Sequence, residues 1–111
     1  MAYAKTELFD KKLSSDASLF KSLAHPARLA ILKYLAETRV CITGDISDKL
    51  PLSRTTIVQH LKELKKVGLI QGQVDGAKVN YCLDNKKVCE AYSAIREFFD
   101  TINVPNNGNC K

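Results

Sequence analysis

Apolar residues recur with a helical period along most of this chain and switch to strict alternation over one stretch after residue 68. A first helix is expected over residues 6–13, with Ser14 and Ser15 either interrupting it or capping a second piece, residues 16–24. The pair His25-Pro26 marks a break, because proline suits the first position of a new helix. From residue 26 to 37, Leu29, Ile31, Leu32 and Leu35 make the helix apolar almost all round, which places it at the centre of a small core. Thr43 is expected to cap a short helix over residues 44–50, and Pro51 ends it. Ser53 then caps a longer helix that Gly68 terminates. Residues 69–74 and 78–83 alternate and predict two strands joined at Asp75-Gly76 with Ala77. Asp84 caps a last helix over residues 85–102. Residues 103–111 have the composition of a disordered tail.

This order predicts a mostly α fold with a β-hairpin wing. It is a winged helix-turn-helix with extra helices at each end, forming one domain over residues 1–102.

The helix after Ser53 divides into two faces. With Ile57 set at zero and 100° per residue, Leu61 and Leu64 fall beside it and Val58 and Val67 flank the stripe. Thr55, Gln59, Lys62 and Lys66 land opposite. Threonine and glutamine suit base edges, and glutamine can make two bonds to adenine. Arg54 in the first turn reaches a guanine edge or a phosphate, and the lysines suit phosphates. Ser53, Thr56 and His60 complete the candidate contacts on this helix, and Lys78 places a charge on the wing. A lone helix with these lysines would more simply be a solvated surface. The preceding short helix and following hairpin turn the comparison toward DNA. For His60, beside the apolar stripe, packing and a phosphate bond both remain open, and His25 reads as a residue at a helix start.

The formal net charge of +5 agrees with a polyanionic partner. Neither an apolar signal core at the N-terminus nor a run long enough to span a bilayer is evident, so a cytoplasmic protein is expected. No glycine-rich phosphate loop or carboxylate pair points to an enzyme.

The segments FKSLAHPARLAILKYLAE and CITGDISDKLPLSRTTIVQHLKELKKVGLI, followed by QGQVDGAKVNYCL, resemble the ArsR/SmtB family of bacterial winged-helix repressors over residues 19–83. The resemblance implies a homodimer built through the first and last helices, and operator binding released by an inducer, often a metal or metalloid ion. The apolar stripe of the last helix, with Val88, Tyr92, Ile95, Phe99 and Ile102 as the expected dimer interface, supports pairing on its own, although it could instead close the monomer's core.

The chain departs from the family pattern in three ways. Thiophilic-ion sensors carry Cys-x-Cys where this chain has Cys41-Ile42-Thr43, and a threonine hydroxyl is a poor ligand for a soft ion. The last helix has no histidine, so the zinc-sensor site is missing. Pro51 stands where the helix-turn-helix usually has glycine.

No cofactor is assigned, and no Cys-x-x-Cys occurs. The four cysteines are expected to be free thiols in a reducing cytosol. Cys41, Cys89 and Cys110 are the candidates for a thiophilic metalloid site or a thiol-redox pair, against the simpler alternative of inert cysteines. Cys82 is expected to be only a strand residue. The leading reading is a dimeric, sequence-specific transcriptional repressor. Its rival is a winged-helix protein-interaction module without DNA binding.

Overall fold

The computed structural model describes residues 8–39, 41–43, 50–74 and 80–105. Its elements are α1 (Lys11–Leu23), α2 (Pro26–Thr38), β1 (Ile42–Thr43), α3 (Arg54–Lys66), β2 (Ile70–Gln73), β3 (Asn80–Leu83) and α4 (Asn85–Ile102). The mostly helical winged fold is the one the pattern predicts.

Helix α1 departs from expectation by running unbroken through Ser14 and Ser15. Asp10 is the cap: its Oδ1 accepts from the backbone N–H of Lys12 at 2.6 Å and of Leu13 at 3.0 Å. A carboxylate that satisfies two orphan donors outcompetes a serine further along. One turn on, Lys12 pairs with the buried Asp16 at 3.2 Å, which ties the serines inside a closed turn. Of the residues expected to begin this helix, Leu8 to Asp10 precede it and those before Leu8 lie outside the described residues.

Helix α2 starts at Pro26, with His25 Nδ1 accepting from the N–H of Ala27 at 3.0 Å. Only Ala27, Ile31 and Leu35 are buried, while Leu29 faces solvent, so the helix is amphipathic and not sunk in the core on all sides. Arg39 closes it in the left-handed region at φ 58°, donating its N–H to Leu35 O at 3.0 Å.

Strand β1 was not anticipated. Ile42 and Thr43 pair antiparallel with Tyr81 and Asn80, which puts Thr43 in a sheet. Two residues are too few to show an alternating period. The sheet order is β1-β3-β2, with Ile70 opposite Leu83 and Gln73 opposite Asn80. The short helix expected over residues 44–50 and the Asp75-Gly76-Ala77 turn lie outside the described residues, except that Leu50 sits in a turn. There, Leu52 N–H donates to Leu50 O at 2.8 Å across Pro51. A three-residue turn of this kind suits proline and needs no positive φ.

Helix α3 ends at a left-handed glycine, as expected. Gly68 has φ 89°; its N–H donates to Lys65 O at 2.9 Å and Leu69 N–H to Leu64 O at 3.1 Å. That pair of bonds is a Schellman closure. The core gathers Ile31 and Leu35 of α2, Ile57, Leu61 and Leu64 of α3, and Leu69, Ile70, Val74 and Tyr81 from the sheet region.

Helix α4 begins where Asp84 Oδ1 accepts from Lys87 N–H at 3.2 Å, again as expected. It lies against α1. Lys12 reaches Glu97 at 3.3 Å, and the Phe20 ring meets those of Phe98 and Phe99 edge-on at 5.7 and 6.3 Å. No helix among the described residues is long and apolar enough to cross a membrane.

Gly68 and Gly72 should respond differently to alanine. Gly72 has φ 116°, and a Cβ there would sit 2.9 Å from Tyr81 Cα and closer still to Asn80 O. At Gly68 a Cβ would meet only the flexible Lys87 side chain at 3.4 Å. Gly72→Ala is expected to cost about 3 kcal/mol and Gly68→Ala about 1 kcal/mol. Urea denaturation of both variants checks this; equal losses would contradict the close approach at Gly72.

Candidate nucleic-acid interface

Helix α3 has one rotation that buries its apolar stripe, and the core selects it. Ile57, Leu61 and Leu64 are each no more than 2% exposed, and Arg54, Thr55, Gln59, Lys62 and Lys66 lie exposed on the other side. The division of faces therefore follows the helical period. Lys66 Nζ lies 3.8 Å from Glu63 Oε2, a loose pairing that leaves the ammonium exposed. Lys65 is exposed in the same last turn.

The candidate contacts differ in how the fold uses them. Ser53 Oγ accepts from Thr56 N–H at 3.3 Å and lies 3.0 Å from Thr56 Oγ1, so these two hydroxyls are occupied in capping. Arg54 and Thr55 share that first turn, where the positive end of the helix favours an anion. Lys78 lies outside the described residues.

His60 is corrected by the structure. It was expected among the DNA contacts, but it is 7% exposed and turned inward. Its Nδ1 accepts from Arg28 Nε at 3.1 Å, and its ring lies 4.3 Å from that of His25. Arg28 in turn donates through Nη1 to Lys21 O and Ser22 O at the end of α1. One guanidinium thus joins α1, α2 and α3 beneath the exposed face of α3. The only sequence signal for this network was the position of His60 beside the apolar stripe. Nothing local marked Arg28 as its partner, 32 residues away.

The expected dimer residues also divide. Tyr92 is 64% exposed, Phe99 51% and Ile102 55%, whereas Val88 and Ile95 are half-buried and Val88 packs against the core. Phe9 and Leu13 at the start of α1 add further exposed apolar surface.

The cysteines do not stand as expected. Cys41 and Cys82 form a disulfide, so neither is a free thiol and Cys82 is more than a strand residue. The reason is the register that β1 creates, which sets Cys41 directly across from Cys82. Cys89 is a free, exposed thiol, and Cys110 lies outside the described residues. Among the described residues no three His, Cys, Asp or Glu side chains gather as a metal site would require. A soft ion needs several thiolates, and while Cys41 is bonded to Cys82 neither sulfur can serve as one.

An amphipathic helix held by a core on one side, preceded by a turn and followed by a hairpin, defines a winged helix-turn-helix DNA-binding module. The helix-turn-helix domain family matches residues 23–73, from the end of α1 through β2. An uncharacterised HTH-type transcriptional regulator of Methanocaldococcus jannaschii is 33% identical over 87 residues, covering 78% of this chain and 98% of that protein. The repressor SmtB of Mycobacterium tuberculosis is 35% identical over 71 residues, which span 64% of this chain and 52% of that one. The crystal structure of M. tuberculosis Rv0081 superposes with a TM-score of 0.61 at 25% identity, covering 85% of this chain and 94% of that one. This chain belongs to the ArsR/SmtB family of winged helix-turn-helix regulators, and it is a DNA-binding transcriptional regulator.

The buried histidine makes stability depend on pH. Burial first, then the neighbouring His25 and Arg28, push His60 below the ordinary imidazole value of 6.5. The unfolded chain therefore takes up the proton before the folded one. The His60 contribution is full above pH 6.5 and is lost as pH falls from 6.5 toward the depressed folded value, by at most about 1.4 kcal/mol per pH unit. His60→Asn keeps an acceptor for Arg28 and removes the titration. Urea midpoints between pH 7 and 5 should fall less steeply for this variant than for the wild type; parallel profiles would exclude His60 as the source.

Proposed function

We propose that this regulator is a homodimeric, sequence-specific repressor acting in the cytoplasm, with α3 as its recognition helix in the major groove. The observation that carries the reading is the exposed Thr55, Gln59, Lys62 and Lys66 face of a helix whose opposite face is locked in the core. Gln59 and Thr55 read base edges, and Arg54 contacts a guanine or a phosphate. Lys62 and Lys66, with Lys78 on the wing, hold the backbone. Ser53 and Thr56 support this face by fixing the helix start, and His60 supports it from below. The exposed Tyr92, Phe99 and Ile102 of α4 form the dimer face, with Val88 and Ile95 at its inner margin. A two-fold dimer would set its recognition helices on half-sites about 34 Å apart. An effector acting on the cysteines would adjust operator occupancy.

Fluorescence anisotropy on genomic fragments, followed by footprinting of the bound sequence, tests the reading. Lys62→Ala should weaken binding to all sequences alike and flatten the log–log salt slope by about 0.9. Gln59→Ala should instead reduce discrimination at one base pair by about 1–3 kcal/mol. If Gln59→Ala left every base preference intact, α3 would not be reading sequence through this residue.

Sedimentation velocity tests the dimer separately. The wild type should sediment as a dimer at micromolar concentration, and Tyr92→Asp with Phe99→Asp should sediment as a folded monomer with weaker operator binding. A monomeric wild type would end the dimer reading and leave DNA binding to be judged alone.

A further inference from the structure

The Cys41–Cys82 bond lies outside the DNA-reading face, yet it encloses it. The register that pairs Ile42 with Tyr81 and Thr43 with Asn80 carries Cys41 opposite Cys82, with Cα atoms 4.3 Å apart. The closed ring of chain contains the whole of α3 and β2. Without the bond, β1 is held to the sheet by only two residue pairs. A strand that short opens readily by local unfolding. It precedes α3 by ten residues of chain, so its attachment helps set the frame in which α3 is presented.

Two further observations mark the pair as accessible chemistry. Cys41 is exposed and Cys82 half-buried, and exposed disulfides are the readily exchanged ones. Both cysteines line a cavity of about 520 Å³ together with Leu35, Ala36, Arg39 and Asn85. Arg39 brings a permanent positive charge to the cavity. A guanidinium favours a thiolate over a thiol and attracts carboxylates on an incoming molecule.

We propose that Cys41 and Cys82 are a reversible dithiol–disulfide pair, exchanged by small anionic thiols entering the cavity beside Arg39, and that the closed bond raises the affinity of α3 for DNA. The affinity part rests on α3 being the DNA-reading helix. In the reducing direction a thiolate attacks one sulfur of the pair. The Cys41–Cys82 bond breaks, a mixed disulfide forms, and the other cysteine leaves as a thiolate and takes up a proton. A second small thiolate attacks the small-molecule sulfur of the mixed disulfide, releasing the remaining cysteine as a thiolate that is likewise protonated. Two small thiols are oxidised to their disulfide, and the protein disulfide is reduced to two thiols. The reverse sequence closes the bond at the expense of a small disulfide. Oxidation therefore strengthens DNA binding, and a reductant, not an oxidant, releases it. Closure acts by preorganisation: it removes open arrangements of β1 that would otherwise have to be restrained when α3 docks.

The full chain is equilibrated in buffers of graded reduced and oxidised glutathione, trapped by alkylation and mapped by mass spectrometry, with operator affinity measured in parallel. Cys41 and Cys82 should gain and lose their alkylation together. The oxidised protein should bind DNA roughly five- to a hundredfold more tightly than the reduced one. Cys89→Ser and Cys110→Ser should respond like the wild type, while Cys41→Ser and Cys82→Ser should stay at the reduced affinity in every buffer. Circular dichroism confirms that these variants are folded, and the reduced wild type supplies the same comparison without mutation. The wild-type bond should be reduced faster by glutathione than by cysteamine at equal thiolate concentration, and Arg39→Ala should erase that preference. Pairing of Cys41 with Cys110, or equal affinity of the oxidised and reduced proteins, would overturn the proposal. An unchanged thiol preference in Arg39→Ala would remove Arg39 from it. Absence of DNA binding in all buffers would instead sink the functional reading, while the alkylation map would still judge the exchange chemistry.

Discussion

The packing of Ile57, Leu61 and Leu64 against Ile31 and Leu35 is the contact on which the rest of the molecule depends. A helix of 13 residues has little stability of its own in water, so tertiary burial must hold it. Burial also removes its rotational freedom: once three aliphatic side chains occupy the core, Gln59 and Lys62 have only solvent to face. Replacing any one of the three by alanine would open a cavity worth about 2–5 kcal/mol. It would also loosen the angle at which the polar face is offered. The stability of α3 and the direction its polar face points are thus set by the same atoms.

A second layer refines that orientation. Arg28 donates to His60 on α3 and to two carbonyls at the end of α1, while His25 caps α2 and lays its ring tilted against that of His60. Hydrophobic packing is non-directional and tolerates small slides. A guanidinium with a planar fork of donors does not, and it fixes how far α3 can turn about its own axis. The cost is an imidazole whose Nε2 is buried without a hydrogen-bond partner among the described residues, which is tolerable only while the ring stays neutral.

Much of this was legible in the sequence because it is local. Ser53, Asp84 and Gly68 announce helix ends through their own backbone chemistry, and the stripe of α3 repeats often enough to fix a period. What was missed depends on partners distant in the chain. Strand β1 is two residues long and exists because β3 offers it an edge; the Cys41–Cys82 bond follows from that pairing across 41 residues. The inward turn of His60 required Arg28 to be placed beside it by the α2–α3 crossing. In α1, Ser14 and Ser15 looked like a break because serine favours caps, but Asp10 capped the helix first. Even the surplus of apolar residues in α2 misled: Leu29 is exposed because a small core can cover only one side of the helix.

The exposed face of α3 and the exposed apolar face of α4 answer the same limitation. One α3 exposes few side chains with the chemistry to read bases, chiefly Thr55, Gln59 and Arg54, beside lysines whose charge suits any duplex. Sequence preference from a single copy would therefore be small against its sequence-independent attraction to phosphate. Joining two copies rigidly makes the second docking event intramolecular and multiplies the preference of each half-site without adding a contact. Rigidity is needed for that gain, because a flexible link would blur the spacing between the two helices. Tyr92, Phe99 and Ile102 provide a broad apolar surface on α4, whose base lies against the end of α3, where the aliphatic part of Lys87 approaches Gly68. A dimer formed through that surface would carry its geometry to α3 through packed helices and not through a loop. In such a dimer the oily side of α4 would do as much to specify an operator as the glutamine on α3.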